Sequence, residues 1–255
     1  MERNILLKIE YDGTHFSGWQ RQPERRTVQG ELEKALSRLC AQEIRIDGTS
    51  RTDAGVHALG QCATFHGEFG IPTDRIARAV NDHFSRIGKD GDLRIVSAEE
   101  RPMGFHARFD AKGKKYRYMI RCGAGMPVFL SDYRYHVRDQ LDTAAMKRAA
   151  AQIVGTHDFA CFQAAGGTPR ETTVRTIQAL TIREIPVEEG LDIAIEVSGD
   201  GFLYNMVRII TGTLVDVGIG RISAEEVGRI IESKDRRNAG HTAPPQGLYL
   251  VEVFY

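Results

Sequence analysis

Apolar positions along this chain switch between a period of two and a period near 3.6, and the switches mark its elements. Ile5 to Tyr11 alternates, with Leu7 and Ile9 on one face, and predicts a strand closed by the turn-like Asp12-Gly13-Thr14. A loop follows with the aromatic His15, Phe16 and Trp19 and the basic Arg21, Arg25 and Arg26. Val28, Leu32, Ala35, Leu36 and Leu39 then recur at helical spacing behind Thr27, a candidate N-cap. Glu43 to Asp47 and Gln61 to His66 read as strands, Thr73 to about Phe84 as a helix, and Leu93 to Val96 as a strand. The order is β-α-β-β-α-β, the ferredoxin-like arrangement, and short connections make its sheet largely antiparallel.

The second half repeats this grammar without sequence repetition. Lys114 to Arg121 predicts a strand with Tyr116, Tyr118 and Ile120 on one face and Lys115, Arg117 and Arg121 on the other. A helix is expected from about Thr143 to Val154 on the stripe Met146, Ala150 and Ile153, with Gly155 to end it. Val174 to Arg183 and Leu191 to Val197 read as an antiparallel pair. A helix from Leu203 to about Val217 follows, then a Ser223-x-x-Glu226 capping box opening a helix through Ile231, and a closing strand, Leu248 to Phe254. The expected class is α+β, with a boundary near residues 103 to 112: a first unit over 1–105 and a second over 106–255, sharing a sheet.

In the Leu203 to Val217 helix, Leu203, Met206, Val207, Ile210, Leu214 and Val217 form one stripe, while Tyr204, Arg208, Gly212 and Val215 gather opposite. Being apolar on both sides, it belongs between layers. Arg208 would then point into a covered region, where a guanidinium requires a carboxylate or phosphate partner. Helix geometry alone favours instead an exposed arginine near the helix start.

Composition narrows the class. With 42% hydrophobic and 27% charged residues the chain is globular, and its 34 basic and 34 acidic residues cancel. Any nucleic-acid contact must therefore come from local clusters. One such cluster runs from Arg101 to Arg121, where seven basic residues face a single acidic one, Asp110, amid Phe105, Phe109, Tyr116 and Tyr118. Basic side chains between aromatics suit RNA phosphates and unstacked bases; a solvated strand edge would look the same. Cys40, Cys62, Cys122 and Cys161 form no C-x-x-C pair, which fits reduced thiols in the cytoplasm and argues against zinc. The opening MERNILLKIEYDG has no signal-peptide layout, and no apolar run could span a bilayer.

The remaining candidate chemistry lies in Gly48 to Gln61, GTSRTDAGVHALGQ, a polar loop between two strands that sets Arg51 beside Asp53. Asp and Gly also make ordinary turns. His57 could act as a base or simply hydrogen-bond within the loop. Phosphate-loop, dinucleotide-loop, metalloprotease and serine-elbow motifs are absent from the sequence.

The run RTDAGVHALGQ resembles the signature of the TruA-type tRNA pseudouridine synthases. The resemblance continues through YDGTHFSGWQRQP, VQGELEKAL, FHARFDAKGKKYRY, GTHDFACF, GFLYNMVRIITGTLVDVG and APPQGLYLVEV, in order over nearly the whole chain. It implies two tandem ferredoxin-like (RRM-like) units sharing a largely antiparallel sheet around a central active-site cleft, usually working as a homodimer. The implied activity is isomerisation of uridine to pseudouridine in the tRNA anticodon stem-loop at positions 38, 39 and 40, with no cofactor or metal. By the same resemblance Asp53 is the catalytic aspartate, Arg51 its basic neighbour, Tyr116 the active-site tyrosine and Arg208 the arginine that pairs with the aspartate. That pairing favours burial of Arg208. Ser50 stands where many members have Gly, and AVNDHFSRIGKDGDLRI replaces a shorter leucine-proline link.

The reaction explains these residue types. The C1'–N1 bond must break, the uracil must turn and C1' must join C5, so the detached base has to be held. A carboxylate could act on the ribose or add to the ring, and either role needs Asp53 ionised. Burial would raise its pKa, and Arg208 and Arg51 would oppose that shift. Tyr116 would stack on a base flipped from its stem. Arg21, Arg25, Arg26, Lys114 and Lys115 are the expected contacts to the tRNA backbone. Rival readings are a non-catalytic tRNA-binding or folding factor on the same scaffold, and a small-molecule hydrolase using Asp53 and His57.

Overall fold

The first strand, β1 (Arg3–Tyr11), begins two residues before the alternation suggests because a ladder on each side extends it. The computed structural model describes residues 1–88, 91–123, 125–167 and 171–255. Contacts divide these into two compact units, Met1–Lys112 with Tyr249–Tyr255, and Gly113–Leu248.

In the first unit β1 is followed by α1 (Val28–Cys40), β2 (Ile46–Gly48), β3 (His57–Gly67), α2 (Thr73–Arg86) and β4 (Leu93–Arg101), the order read from the sequence. β1 lies antiparallel between β3 and β4, and β2 pairs antiparallel with β3. The Thr27 hydroxyl accepts the Gly30 N–H at 3.3 Å, as an N-cap should. α1 buries Val28, Leu32, Ala35 and Leu36, each larger side chain contributing about 1.5–3 kcal/mol. β2 is shorter than expected and shifted toward the loop. Its predecessor residues turn inward on side-chain bonds instead of joining the ladder: Ile44 N–H donates to Ser37 Oγ at 2.8 Å. In α2 the Asn81 amide brackets Ile95, donating to its carbonyl at 2.9 Å and accepting its N–H at 2.8 Å, where the β1/β4 register slips by one residue. Residues 89 and 90, within the run AVNDHFSRIGKDGDLRI, lie outside the described residues.

The second unit contains β5 (Gly113–Cys122), β6 (Tyr135–Val137), α3 (Thr143–Ile153), β7 (Gly155–Asp158), β8 (Val174–Pro186), β9 (Leu191–Gly199), α4 (Met206–Gly218) and α5 (Glu226–Ser233). Its strand order is β5-β9-β8-β7, all antiparallel, with the three-residue β6 added in parallel to β5. α3 is N-capped by Asp142, which accepts the Ala145 N–H at 2.9 Å. Half of the expected capping box forms, Ser223 N–H donating to the Glu226 carboxylate at 2.7 Å, while the helix itself begins at Glu226 with Glu225 in the cap position.

The last strand, β10 (Leu248–Phe254), pairs in parallel with β3, Tyr249 opposite His57 and Leu250 opposite Ala58. This pairing explains why residues after Leu248 cluster with the first unit rather than with their sequence neighbours. The class is α+β with mostly antiparallel strands. No helix among the described residues is long and apolar enough to cross a membrane.

Candidate active site

Asp53 sits in the connection between β2 and β3, and its own backbone makes a turn: Val56 N–H donates to the Asp53 carbonyl at 3.1 Å. Gly55, third in that turn, has φ +77, the left-handed value a type II turn requires there. The aspartate is half-buried and Arg51 is exposed. Thr52, between them, is fixed at both ends. Its carbonyl accepts the Trp19 N–H at 3.0 Å, and its hydroxyl meets the Tyr11 hydroxyl at 2.7 Å.

The floor of this loop comes from residues 11–19. Trp19 and Phe16 are buried, with Tyr11 6.3 Å and 6.5 Å from them between ring centroids. A Cβ on Gly13 would lie 2.1 Å from the Val56 carbonyl oxygen, so only glycine allows the two segments to touch. Sequence reasoning missed Tyr11, Gly13 and Trp19 as supports. The signal available was the density of glycine and aromatics in Tyr11-Asp12-Gly13-Thr14-His15-Phe16-Ser17-Gly18-Trp19.

His57 begins β3 and is 2% exposed. Its Nδ1 accepts the Gly13 N–H at 3.0 Å, and its ring stacks on Tyr249 with centroids 4.8 Å apart. A buried ring whose nitrogen anchors the loop backbone acts as a structural hydrogen-bonder, the second of the two roles open to it from the sequence.

At the start of the loop, Thr49 Oγ1 lies 3.0 Å from both the Cys62 and Ala107 carbonyls and 2.9 Å from the Tyr255 hydroxyl. Gln61 donates to the Ser50 carbonyl at 2.7 Å and accepts the Ser50 N–H at 3.3 Å. Ser50 is therefore held in place by its backbone.

In the second unit Tyr116 lies on β5, 8% exposed, and meets Phe202 edge to face with centroids 5.0 Å apart. Two residues on, the Tyr118 hydroxyl donates to the Pro244 carbonyl at 2.6 Å. Burial pushes the Tyr118 phenol well above its ordinary value, while the positive charge of Arg208 pulls the other way.

Arg208 is the third residue of α4, which begins at Met206 rather than Leu203 because Asn205 takes the left-handed conformation, φ +59. Every other α4 residue is buried, whereas Arg208 is half-buried. Its Nε donates to the Ala243 carbonyl at 2.7 Å and its Nη1 to Asn205 Oδ1 at 2.9 Å. Geometry therefore falls between the two sequence expectations of burial and exposure. The helix face is covered, as its composition implied, but by the irregular segment around Gly240–Pro244.

The basic residues are more committed than the sequence suggested. Arg21 meets Glu33 at 2.5 Å, and Arg26 grips Asp92 at 2.5 and 3.0 Å while its guanidinium lies 4.2 Å from the Phe16 ring centre. Lys115 and Arg117 bind Glu196 at 2.8 and 2.7 Å, and Arg121 forms a buried pair with Asp192 at 2.5 Å. Arg25 is exposed and Lys114 half-exposed. The local excess of positive charge is thus offset by carboxylates distant in sequence. Among the described residues no group of three or more His, Cys, Asp or Glu is arranged to hold a metal ion.

The family model for tRNA pseudouridine synthase matches residues 8–110 and 149–255, and the chain belongs to that family of isomerases. Asp53, Arg51 and Arg208 lie in the matched stretches, and Tyr116 lies between them. Among individual relatives, a tRNA pseudouridine synthase A from Acetivibrio thermocellus is 48% identical, over 99% of this chain and 100% of that protein. The tRNA pseudouridine synthase A of Ruminiclostridium cellulolyticum matches equally, at 48% over the same shares. A tRNA pseudouridine synthase A 2 from Clostridium tetani is 45% identical over the full length of both chains.

Proposed function

We propose that this protein converts uridine to pseudouridine in the tRNA anticodon stem-loop, at positions 38, 39 and 40, with Asp53 as the essential carboxylate. The observation that carries this reading is the loop from Arg51 to His57. It is an Asp-centred turn held by Trp19, Tyr11 and Gly13, within a chain that matches full-length tRNA pseudouridine synthases.

In this reading the C1'–N1 bond of the target nucleotide breaks, the retained uracil turns, and C1' bonds to C5. The C5 proton leaves and N1 gains one, so the reaction is an isomerisation. Asp53 supplies the carboxylate, Arg51 and Arg208 support its charge, and Tyr116 stacks on the uracil. The two units act as tandem ferredoxin-like modules, the first, Met1–Lys112 with Tyr249–Tyr255, carrying the aspartate loop and the second, Gly113–Leu248, the tyrosine strand and arginine helix.

Flipping a base from a stem costs about a few kcal/mol. Arg21, Arg25, Arg26, Lys114 and Lys115 offset that cost by holding phosphates, with exposed Arg25 best placed to do so directly. Arg21, Arg26 and Lys115 would share their charge with Glu33, Asp92 and Glu196. The protein works in the cytoplasm as a homodimer, and four free thiols agree with a reducing compartment. Mapping pseudouridines in unmodified tRNA incubated with the purified protein tests the assignment. New pseudouridine at 38, 39 or 40 is the expected product; its appearance only elsewhere in the tRNA, or not at all, contradicts the reading.

A further inference from the structure

The segment Gly240–Pro244 crosses α4 as a strap, and polar groups of all five of its residues are tied down within the second unit. Gly240 N–H donates to Thr213 Oγ1 at 2.9 Å. His241 is held three times. Its backbone N–H donates to Asp216 Oδ2 at 3.2 Å, its Nδ1 lies 3.1 Å from the same oxygen, and its Nε2 lies 3.1 Å from the Tyr135 hydroxyl. A carboxylate accepts hydrogen bonds, so Nδ1 donates to Asp216, while Nε2 and the Tyr135 hydroxyl share a hydrogen bond. Arg236 donates to Thr242 Oγ1 at 3.1 Å, and Tyr118 donates to the Pro244 carbonyl at 2.6 Å.

Between these anchors lies Ala243, whose carbonyl receives Arg208 Nε at 2.7 Å and whose N–H donates to the Arg208 carbonyl at 3.1 Å. The guanidinium donates to two acceptors in this unit, Asn205 Oδ1 on the turn into its own helix and the Ala243 carbonyl on the strap. The helix yields space for this contact. A Cβ on Gly212 would lie 1.8 Å from the His241 carbonyl oxygen.

We propose that His241, latched between Asp216 and Tyr135, is a positioning residue for Arg208: it fixes the strap so that the Ala243 carbonyl aims the guanidinium. The proposal rests on the reading that Arg208 serves the reaction. His241 lies two residues before Ala243 on the strap and acts on Arg208 through it. Its effect passes through two residues of backbone, which is why the latch must be rigid at both ring nitrogens. A misplaced arginine weakens the step it supports while leaving the surfaces that hold tRNA unchanged.

The test is kinetic, on the intact protein with full-length tRNA. His241→Leu, His241→Asn, Tyr135→Phe, Arg208→Lys and the double variant His241→Leu/Arg208→Lys are compared by tritium release and by tRNA binding. His241→Leu is expected to lower kcat by about 10- to 100-fold, with KM for tRNA changed by less than about twofold. His241→Asn keeps a donor for Asp216 and recovers part of the loss. Tyr135→Phe, which leaves Asp216 bonded, gives a smaller loss in the same direction. In the Arg208→Lys background, which has no Nε–H in the required place, His241→Leu should add no more than about a twofold loss.

An undiminished effect of His241→Leu in that background, or wild-type kcat in both His241→Leu and Tyr135→Phe, overturns the latch. Wild-type kcat in Arg208→Lys alone removes the reading beneath it and the latch with it. A melting temperature for Tyr135→Phe close to wild type keeps the comparison valid should His241→Leu fold poorly.

Discussion

Arg208 and Ala243 exchange two hydrogen bonds, side chain to carbonyl at 2.7 Å and N–H to carbonyl at 3.1 Å. An arginine has many rotamers, and holding one in solvent costs about 2 kcal/mol of side-chain entropy. Here the folded strap supplies that order before any substrate arrives. The contact also constrains the helix beneath, where Gly212 makes room for the strap.

Gly212→Ala places a methyl group 1.8 Å from the His241 carbonyl, so helix and strap must separate. Overpacking of this kind costs about 1–3 kcal/mol, even though alanine favours the helix by about 1 kcal/mol. Denaturant unfolding should show the net loss, and tritium release should fall by more than tRNA binding does. A variant as stable and active as the wild type would show that the strap is not seated as described.

His57 should behave as an anchor rather than a base. Asparagine can offer its amide oxygen to the Gly13 N–H in place of Nδ1, while leucine leaves that buried donor unpaired. His57→Leu should therefore be less stable than His57→Asn by about 1 kcal/mol or more. Activity of folded His57→Asn should drop less than about tenfold, because loss of a general base costs about 10²–10⁴-fold. A change in the shape of the pH–rate profile in His57→Asn would contradict the structural role.

Much of the fold was legible because its signals are local. The α1 stripe needs only Val28, Leu32, Ala35 and Leu36, and its start needs only Thr27 and Gly30. β6 and β7, of three and four residues, are too short to show a period, and β6 exists through its pairing with β5. Charge was the least legible quantity. Arg26 finds Asp92 and Arg117 finds Glu196 only after the chain has folded, so a run of basic residues looked more open than it is. The Asp53 turn could be read from Asp-Ala-Gly, but its props at Tyr11, Gly13 and Trp19 lie some 40 residues earlier and needed the β1/β3 pairing to bring them near.

Glu196 gathers Lys115 and Arg117, with Arg183 at 3.5 Å. Burial pushes its carboxyl up, but the hydrogen bonds and charges of Lys115 and Arg117 outweigh that and hold it below its ordinary 4.5. A carboxylate with a lowered folded pKa stabilises the fold fully above its unfolded value, and that contribution is lost as pH falls through the folded value. Glu196→Gln should thus be less stable than the wild type at neutral pH by about 1 kcal/mol, the gap closing in acid, below the ordinary 4.5. Urea unfolding at neutral and acid pH measures it; a gap that persists unchanged in acid would mean the cluster is not the source.

Burial raises three thiols far above their ordinary value, Cys62 and Cys122 to about 11 and Cys161 to about 12. Cys40 is half-buried and raised less. Iodoacetamide in mildly alkaline buffer should label Cys40 first in the native protein and all four once it is unfolded, as read by mass spectrometry. Fast native labelling of Cys161 would contradict the packing around it.

The central claim concerns Asp53, and tritium release from tRNA labelled at uridine C5 addresses it directly. Asp53→Asn keeps the backbone bond of the turn, in which Val56 N–H donates to the carbonyl of residue 53. The variant should fold, bind tRNA with near wild-type affinity and release no tritium above background. Release at the wild-type rate would show that the carboxylate is not required and that the assignment of this loop is wrong.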